Sequence, residues 1–245
     1  MKFGIKLWST NDKLIPLCKE HFSKGDFDYV EISAIIGTFD EKLLSYLKGI
    51  PIVVHCDNND VNFADASNKN NVIAIKEAIK FAEFLDAEYI IIHPGYDGSM
   101  ENVNKLLREF NDDRFCIENM PGRNIWFKTE CIGRTYEELK QSNVKKYCID
   151  FSHAIKAATT LNMDMFQVIK DLLKFEPILF HVCDGHLDSE LDEHLAIGDG
   201  NFDFRKISEL IGKRDAMMSV ETPKSDYESL EDDVANVKKA KEYFS

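Results

Sequence analysis

Residues 89–118 read YIIIHPGYDGSMENVNKLLREFNDDRFCIE, and this stretch contains the unit from which the chain is built. Apolar runs at Tyr89–Ile92 and Arg114–Ile117 predict two buried strands. A potential metal ligand follows each run directly, His93 after the first and Glu118 after the second. The strands begin about 25 residues apart, a spacing typical of a βα unit whose crossover helix joins parallel strands. The stretch therefore predicts a parallel sheet with chemistry at its strand ends.

The same unit recurs along the whole chain. Eight β-rich runs have starts separated by about 23 to 39 residues, the range expected of βα units. These runs are Phe3–Leu7, Phe27–Ile32, Ile50–Val54, Tyr89–Ile92, Arg114–Ile117, Tyr147–Ile149, Ile178–Phe180 and Ala216–Val220. Segments with helical spacing lie between them, for example at 73–85 and 166–173.

The length and the lack of a visible boundary favour one closed barrel. The chain has 245 residues, 44% of them apolar, which is the size of one (β/α)₈ TIM barrel with a large core. No linker rich in proline, glycine or serine divides it. We predict an α/β fold with one TIM-barrel domain over residues 1–245; a doubly wound sheet of two subdomains is the alternative.

Composition limits the possible partners and the compartment. A net charge of -13 and a pI near 5.0 repel nucleic acid and anionic membranes unless bound cations or a local basic patch reverse the field. The six cysteines form no CxxC pair, and Met1–Ile5 is too short and polar to begin a secretory signal. Apolar runs fall far short of the roughly 20 residues of a membrane helix. We expect reduced thiols in a cytoplasmic protein without a membrane partner; the oligomeric state stays open.

Potential metal ligands stand at the ends of six consecutive predicted strands. They are His55, His93, Glu118, Asp150, His181 and Glu221. The carboxyl ends of barrel strands converge on one face, so these side chains are expected to share one cavity. Burying carboxylates there is costly unless they are paired or coordinate a cation. Mixed histidine and carboxylate ligands favour zinc, with manganese or another divalent cation also suitable.

Three further residues join this set. His153 follows Asp150 by three residues, and Asp192 and His194 lie in the segment 184–204, the longest after a strand without helical periodicity. Nine candidates exceed the needs of one ion. His153 could instead cap the following helix or bond to Asp150, and any single strand-end residue could be an ordinary hydrogen-bonding group. His21 and His186 are not assigned, and Tyr227–Lys241 is interpreted as the solvated face of a C-terminal helix.

Seven motifs carry a resemblance to a known family. They are VVHC with His55, IIHPG with His93, IENMPG with Glu118, IDFSHA with Asp150 and His153, FHVCDG with His181, DEHLAIGDGNFDF with Asp192 and His194, and VET with Glu221. The chain resembles the xylose isomerase-like TIM-barrel superfamily, and within it most closely the endonuclease IV branch.

The resemblance implies three zinc ions. The first would be held by His55, His93 and Glu118. The second would be held by Glu118, Asp150, His181 and Glu221. The third would be held by His153, Asp192 and His194. It further implies a hydrolase of phosphate esters, with an abasic site in DNA or a smaller phosphorylated compound as substrate, in which Glu118 bridges two ions and orients the nucleophile.

Two alternatives accompany this hypothesis. The sugar isomerases and epimerases of the superfamily resemble the chain at Glu118, Asp150, His181 and Glu221, plus a histidine like His153, and use one cation. A non-catalytic scaffold with a saturated structural metal is the other. The chain differs from endonuclease IV at its first strand, GIKLWST, and at its second, which ends in VEISAIIGT without the basic loop that enters DNA.

Overall fold

The computed structural model describes residues 1–124 and 128–245, and its central feature is a closed barrel of eight parallel strands. We number the strands β1 (Lys2–Trp8), β2 (Tyr29–Ala34), β3 (Ile52–Cys56), β4 (Tyr89–Ile92), β5 (Phe115–Glu118), β6 (Lys146–Asp150), β7 (Leu179–Val182) and β8 (Met217–Val220). Neighbouring strands pair in chain order, and β1 closes the barrel by pairing with both β2 and β8. The predicted TIM barrel is confirmed.

Helices connect the strands. They are α1 (Cys18–Lys24), α2 (Glu41–Leu44), α3 (Asn70–Leu85), α4 (Met100–Phe110), α5 (Tyr136–Leu139), α6 (Phe151–Leu161), α7 (Met165–Leu172), α8 (Phe204–Ile211) and α9 (Glu231–Phe244). Short 3₁₀ turns lie at Ile15–Leu17, Ser45–Leu47 and Leu173–Phe175, and a small hairpin pairs Arg123–Asn124 with Thr129–Glu130. Within the described ranges, no helix is long and apolar enough to cross a membrane.

Several predicted boundaries need correction. Strands β2 and β3 begin and end two residues later than predicted, because the leading apolar residues, Phe27 and Ile50, are buried in the core before the strands begin. The C-terminal helix begins at Glu231, not at Tyr227. Its face with Val237 and Ala240 is fully buried, so only part of this helix is solvated.

Side chains alternate between the two faces of each strand, and the inner face forms layers. One layer is apolar and consists of Tyr29, Val53, Ile91, Cys116, Cys148, Leu179 and Met217. Gly4 leaves room in it, since a Cβ atom there would lie 2.4 Å from the ring of Tyr29. Two residues further along most of these strands, toward the carboxyl end, the inner face becomes polar: Glu31 follows Tyr29, and His55 follows Val53. The barrel therefore ends in a polar layer built on an apolar one.

Candidate metal centre

All nine predicted ligands lie at the carboxyl end of the barrel, and each of them belongs to at least one group of close donor atoms. His55, Glu118 and Asp150 are the last or next-to-last residues of β3, β5 and β6, and His181 lies one residue before the end of β7. His93 and Glu221 directly follow β4 and β8. The remaining three, His153, Asp192 and His194, come from α6 and from the loop between β7 and α8.

The first group consists of His55, His93 and Glu118. The carboxylate oxygen Oε2 of Glu118 lies 3.4 Å from Nε2 of His55 and 3.2 Å from Nε2 of His93. The two imidazole rings meet edge to face, with centroids 4.8 Å apart. Three donor atoms from three neighbouring strands thus converge on one point.

The second group centres on His181, which is fully buried. Its Nδ1 lies 2.6 Å from Oε1 of Glu221 and 3.2 Å from Oε2 of Glu118. Oδ2 of Asp150 lies further away, at 3.9 Å. Glu118 therefore belongs to both groups, as a bridging ligand would.

The third group consists of His153, Asp192 and His194. Oδ2 of Asp192 lies 3.1 Å from Nε2 of His153 and 2.7 Å from Nε2 of His194. Asp150 caps α6 by accepting from the backbone N–H of His153 at 2.7 Å, which leaves the imidazole free to face Asp192. The side chain of His153 is thus not the cap.

Hydrogen bonds on the far side of each ring fix which nitrogen faces the cavity. Nδ1 of His55 lies 2.8 Å from the carbonyl oxygen of Cys56, and Nδ1 of His194 lies 2.9 Å from the carbonyl oxygen of Glu221. A carbonyl oxygen only accepts, so Nδ1 carries the proton in both rings and Nε2 of the neutral ring is left as a ligand atom. A metal-binding histidine typically donates such a hydrogen bond from the ring nitrogen that does not bind the metal.

Glu31 and Lys6 were missed by the sequence analysis. Glu31 is fully buried and accepts from Nε2 of His181 at 2.9 Å and from the hydroxyl of Ser219 at 2.5 Å. The Nζ atom of Lys6 lies 2.5 Å from Glu221 and 3.3 Å from Glu31. Both residues lie inside strands, and their signal in the sequence is the period-two spacing that puts them on the inner face.

The donor atoms fit a cation. Six of these buried atoms have no hydrogen-bond partner in the described part of the chain: Nε2 of His55 and of His93, both carboxylate oxygens of Glu118, Oδ2 of Asp150 and Nδ1 of His181. Buried polar atoms without a partner are rare and costly in native proteins. Here they are concentrated on one cavity, and imidazole nitrogens with carboxylate oxygens form a donor set suited to zinc.

Charge and burial set the protonation of these ligands. Burial lowers the pKa of His93 to about 4, so this ring is neutral near pH 7. Burial opposes the charged form of His153, but Asp150 and Asp192 outweigh it and hold the pKa of His153 well above its ordinary value. A cation would therefore displace a proton from His153 on binding, and its affinity would fall as the pH is lowered.

Cys148 also lies close to Glu118 and His181. Burial raises the pKa of its thiol well above the ordinary value, so the neutral thiol is the stable form there. It belongs to the apolar layer beneath the site. The six cysteine side chains are all buried and form no disulfide.

A comparison with known families identifies the barrel. The family model for the xylose isomerase-like TIM barrel matches residues 22–244. The chain belongs to this family. Probable endonuclease 4 from Halothermothrix orenii is 27% identical over 201 residues, which cover 71% of this chain and 72% of that protein.

Solved structures of the xylose isomerase-like fold superpose along the full length. A D-tagatose 3-epimerase-like protein is 26% identical with a TM-score of 0.76, covering 99% of this chain and 97% of the other. Endonuclease IV from Thermus thermophilus is 21% identical with a TM-score of 0.72, covering 99% of this chain and 98% of the other. The barrel is thus shared with proteins named for two different chemistries.

In this member of the xylose isomerase-like family, a buried lysine anchors the loop that carries the third group. Lys156 of α6 is fully buried, and its Nζ donates to the carbonyls of His186 at 2.7 Å and Ser189 at 3.0 Å and to Glu193 at 3.1 Å. Burial favours the neutral form of Glu193, but hydrogen bonds from His186 and Lys156 lower its pKa to about 2. These contacts hold the backbone next to Asp192 in place.

We predict that Lys156→Met weakens the binding of a cation at the third group and leaves binding at the other two groups unchanged. Methionine fills the space but donates no hydrogen bond, so the loop loses three contacts and Asp192 and His194 are less well positioned. The affinity for one cation should fall by about tenfold to a hundredfold, which is typical when a residue that positions a metal ligand through hydrogen bonds is replaced. Zinc titration monitored by calorimetry measures this, with Lys170→Met, an exposed lysine of α7, as the matched control. Unchanged affinity at every site in a folded variant would contradict this role.

Proposed function

We propose that this protein is a metal-dependent hydrolase of phosphate esters that holds three divalent cations, zinc by the chemistry of its ligands, as in the endonuclease IV branch. The carrying observation is the group formed by His153, Asp192 and His194, which brings two further donor residues, Asp192 and His194, to the site. A single-cation site built on Glu118, Asp150, His181 and Glu221, with a histidine like His153 beside it, needs neither Asp192 nor His194. It also does not need His55 and His93, whose nitrogens face Glu118.

Clustered cations would supply three things: orientation of the phosphate, a nucleophile at neutral pH and neutralisation of the leaving oxygen. The protein's own part is to place the ligands and keep the rings in the right tautomer. Glu31 accepts from Nε2 of His181 and so directs Nδ1 toward the cavity. Ser219 donates to the same carboxylate oxygen and is in turn in contact with the hydroxyl of Tyr29 at 2.8 Å. This series of buried hydrogen bonds would hold the ring of His181 in one orientation throughout the reaction.

Glu118 would be the central catalytic carboxylate. Both its oxygens are buried, one facing His153 at 3.1 Å and the other facing His55, His93 and His181. A carboxylate shared between the first and second groups would set the distance between the cations that these groups hold. It would also orient the attacking water for in-line displacement at phosphorus.

A sugar isomerase or epimerase is the second candidate. It is favoured by the D-tagatose 3-epimerase-like protein among the superposed structures and by the paired glutamates near His181. In that reaction Glu118 or Glu221 would move a proton on a carbon next to a carbonyl, with one cation polarising the oxygens. Metal stoichiometry distinguishes the two candidates.

The test is metal content together with activity. Purified protein loaded with zinc should hold about three ions per chain by mass spectrometry, and His55→Ala and His194→Ala should each lower the content by about one. His21→Ala, a histidine of α1 outside the three groups, is the control. The wild type should hydrolyse p-nitrophenyl phosphate or its diester. About one ion per chain, unchanged in both variants, together with epimerisation of a ketohexose, would overturn the proposal.

A further inference from the structure

We infer that the substrate is a small phosphorylated sugar rather than duplex DNA, held in the cavity beside the metal centre; this rests on the proposed hydrolase function. The cavity has a volume of about 400 Å³, which is within the range of small-molecule sites. One residue from each ligand group lines it: His55, Glu221 and His194. A molecule in this cavity would therefore lie beside the proposed metal centre, against one ligand from each group.

Two aromatic side chains form another part of the cavity wall. Trp8 ends β1 and is 55% exposed, and Tyr227 lies in the loop after β8 and is 58% exposed. Large aromatic surfaces left open to solvent at a cavity mouth are typical of binding sites. The C–H face of a sugar ring packs on an aromatic face, while its hydroxyls keep their hydrogen bonds at the ring's edge. Asn11 and Asn58 also line the cavity and provide amide groups for such hydroxyls.

Lys6 adds one directed cation to the wall. Its ammonium group has three donors, and Glu221 and Glu31 take two of them. Lys6 lines the cavity with a side chain that is 13% exposed, so the third donor can reach a bound molecule. A phosphate or hydroxyl oxygen is a suitable acceptor. The carboxylates on its other side hold this ammonium group in place.

The surroundings of the cavity do not suit a nucleic-acid backbone. The loop 183–203 contains seven carboxylates and no lysine or arginine. Lys224, which lines the cavity, is already paired with Asp233, and Lys13 is paired with Glu228, the residue after Tyr227. Binding to duplex DNA depends on cations that neutralise successive phosphates. A single small phosphate needs only the metal centre and Lys6.

For a sugar phosphate bound in this cavity, the reaction would be hydrolysis of a phosphate monoester. The oxygen of water bonds to phosphorus while the bond between phosphorus and the sugar oxygen breaks, and its electron pair goes to the sugar oxygen. The leaving oxygen takes up a proton, and the water releases one to a carboxylate of the site. The products are the free sugar and inorganic phosphate, so no further reactant is required.

The zinc-loaded full chain should hydrolyse deoxyribose phosphate with a higher kcat/KM than it cleaves an abasic-site duplex at physiological ionic strength. Trp8→Ala and Tyr227→Ala should each raise the KM for the sugar phosphate about tenfold and change kcat less, because the rings bind the sugar and do not touch phosphorus. Tyr227→Phe keeps the ring and should behave like the wild type. Tyr46→Ala, an exposed aromatic residue outside the cavity, is the matched control.

The outcomes separate the inference from the proposed function. If the protein hydrolyses p-nitrophenyl phosphate but cleaves the abasic duplex more efficiently than the sugar phosphate, the inference is wrong and the hydrolase function stands. The same holds if folded Trp8→Ala and Tyr227→Ala leave the KM for deoxyribose phosphate unchanged. If no phosphate ester of any kind is hydrolysed by the loaded protein, the proposed function itself fails.

Discussion

Replacing Glu118 by glutamine should lower the rate of phosphate ester hydrolysis by about a thousandfold or more. The substitution keeps the shape of a fully buried side chain but exchanges a carboxylate oxygen for an NH₂ group. That group would point its protons at the ring nitrogens of His55, His93 and His181, or at His153, depending on its orientation. Two cation sites would lose a ligand and gain repulsion. Steady-state kinetics with p-nitrophenyl phosphate measures the loss of rate, and metal analysis measures the loss of bound cations.

The control for this variant is Glu209→Gln, an exposed glutamate of α8 that belongs to none of the three groups. It should match the wild type in metal content and rate. If Glu118→Gln keeps about three ions and its full rate, then Glu118 does not bridge two cations. Its place in both the first and the second group would then have no role in catalysis. Loss of only one ion would assign Glu118 to a single site.

The convergence of the candidate ligands could be predicted because, in a parallel barrel, residues that follow successive strands meet at one end. His93 and Glu118 both follow an apolar run directly, and this local pattern is enough to place them at the carboxyl end. Strand β4 was predicted to the residue, since the apolar run Tyr89–Ile92 lies directly between two polar residues, Glu88 and His93. The position of His153, three residues after Asp150, suited a helix cap equally well, so the role of its side chain could not be chosen from the sequence.

The second layer could not be predicted in the same way. Glu31 occurs in VEISA, a run that looks like any buried strand, and its partner His181 lies 150 residues away. Only closure of the barrel brings β2 and β7 close enough for this contact. The same is true of Lys6 and Glu221, which meet because β1 pairs with β8. Counting alternate residues on the inner face, as in Gly4, Lys6 and Trp8, would have been the available signal.

Removing the metal should lower the melting temperature by roughly 10 °C or more. A cation that binds only the folded chain stabilises it by about 4 kcal/mol when its concentration is a thousandfold above Kd. A protein of this size loses about 2–4 °C per kcal/mol. Without cations, Glu118 and Asp150 keep buried oxygens without hydrogen-bond partners in the described chain, and like charges face one another across the cavity. The apo protein should therefore be folded but clearly less stable.

Thermal unfolding before and after treatment with EDTA measures this loss, with mass spectrometry to verify that the metal has been removed. Adding zinc or manganese back should restore the melting temperature, whereas magnesium should restore little, because imidazole nitrogens are poor ligands for it. Glu118→Gln is the informative comparison: it removes two cation sites at once, so EDTA should shift its melting temperature much less. A wild type that loses all its metal and unfolds at the same temperature would show that the donor atoms are satisfied without a cation, and the metal centre would then have to be abandoned.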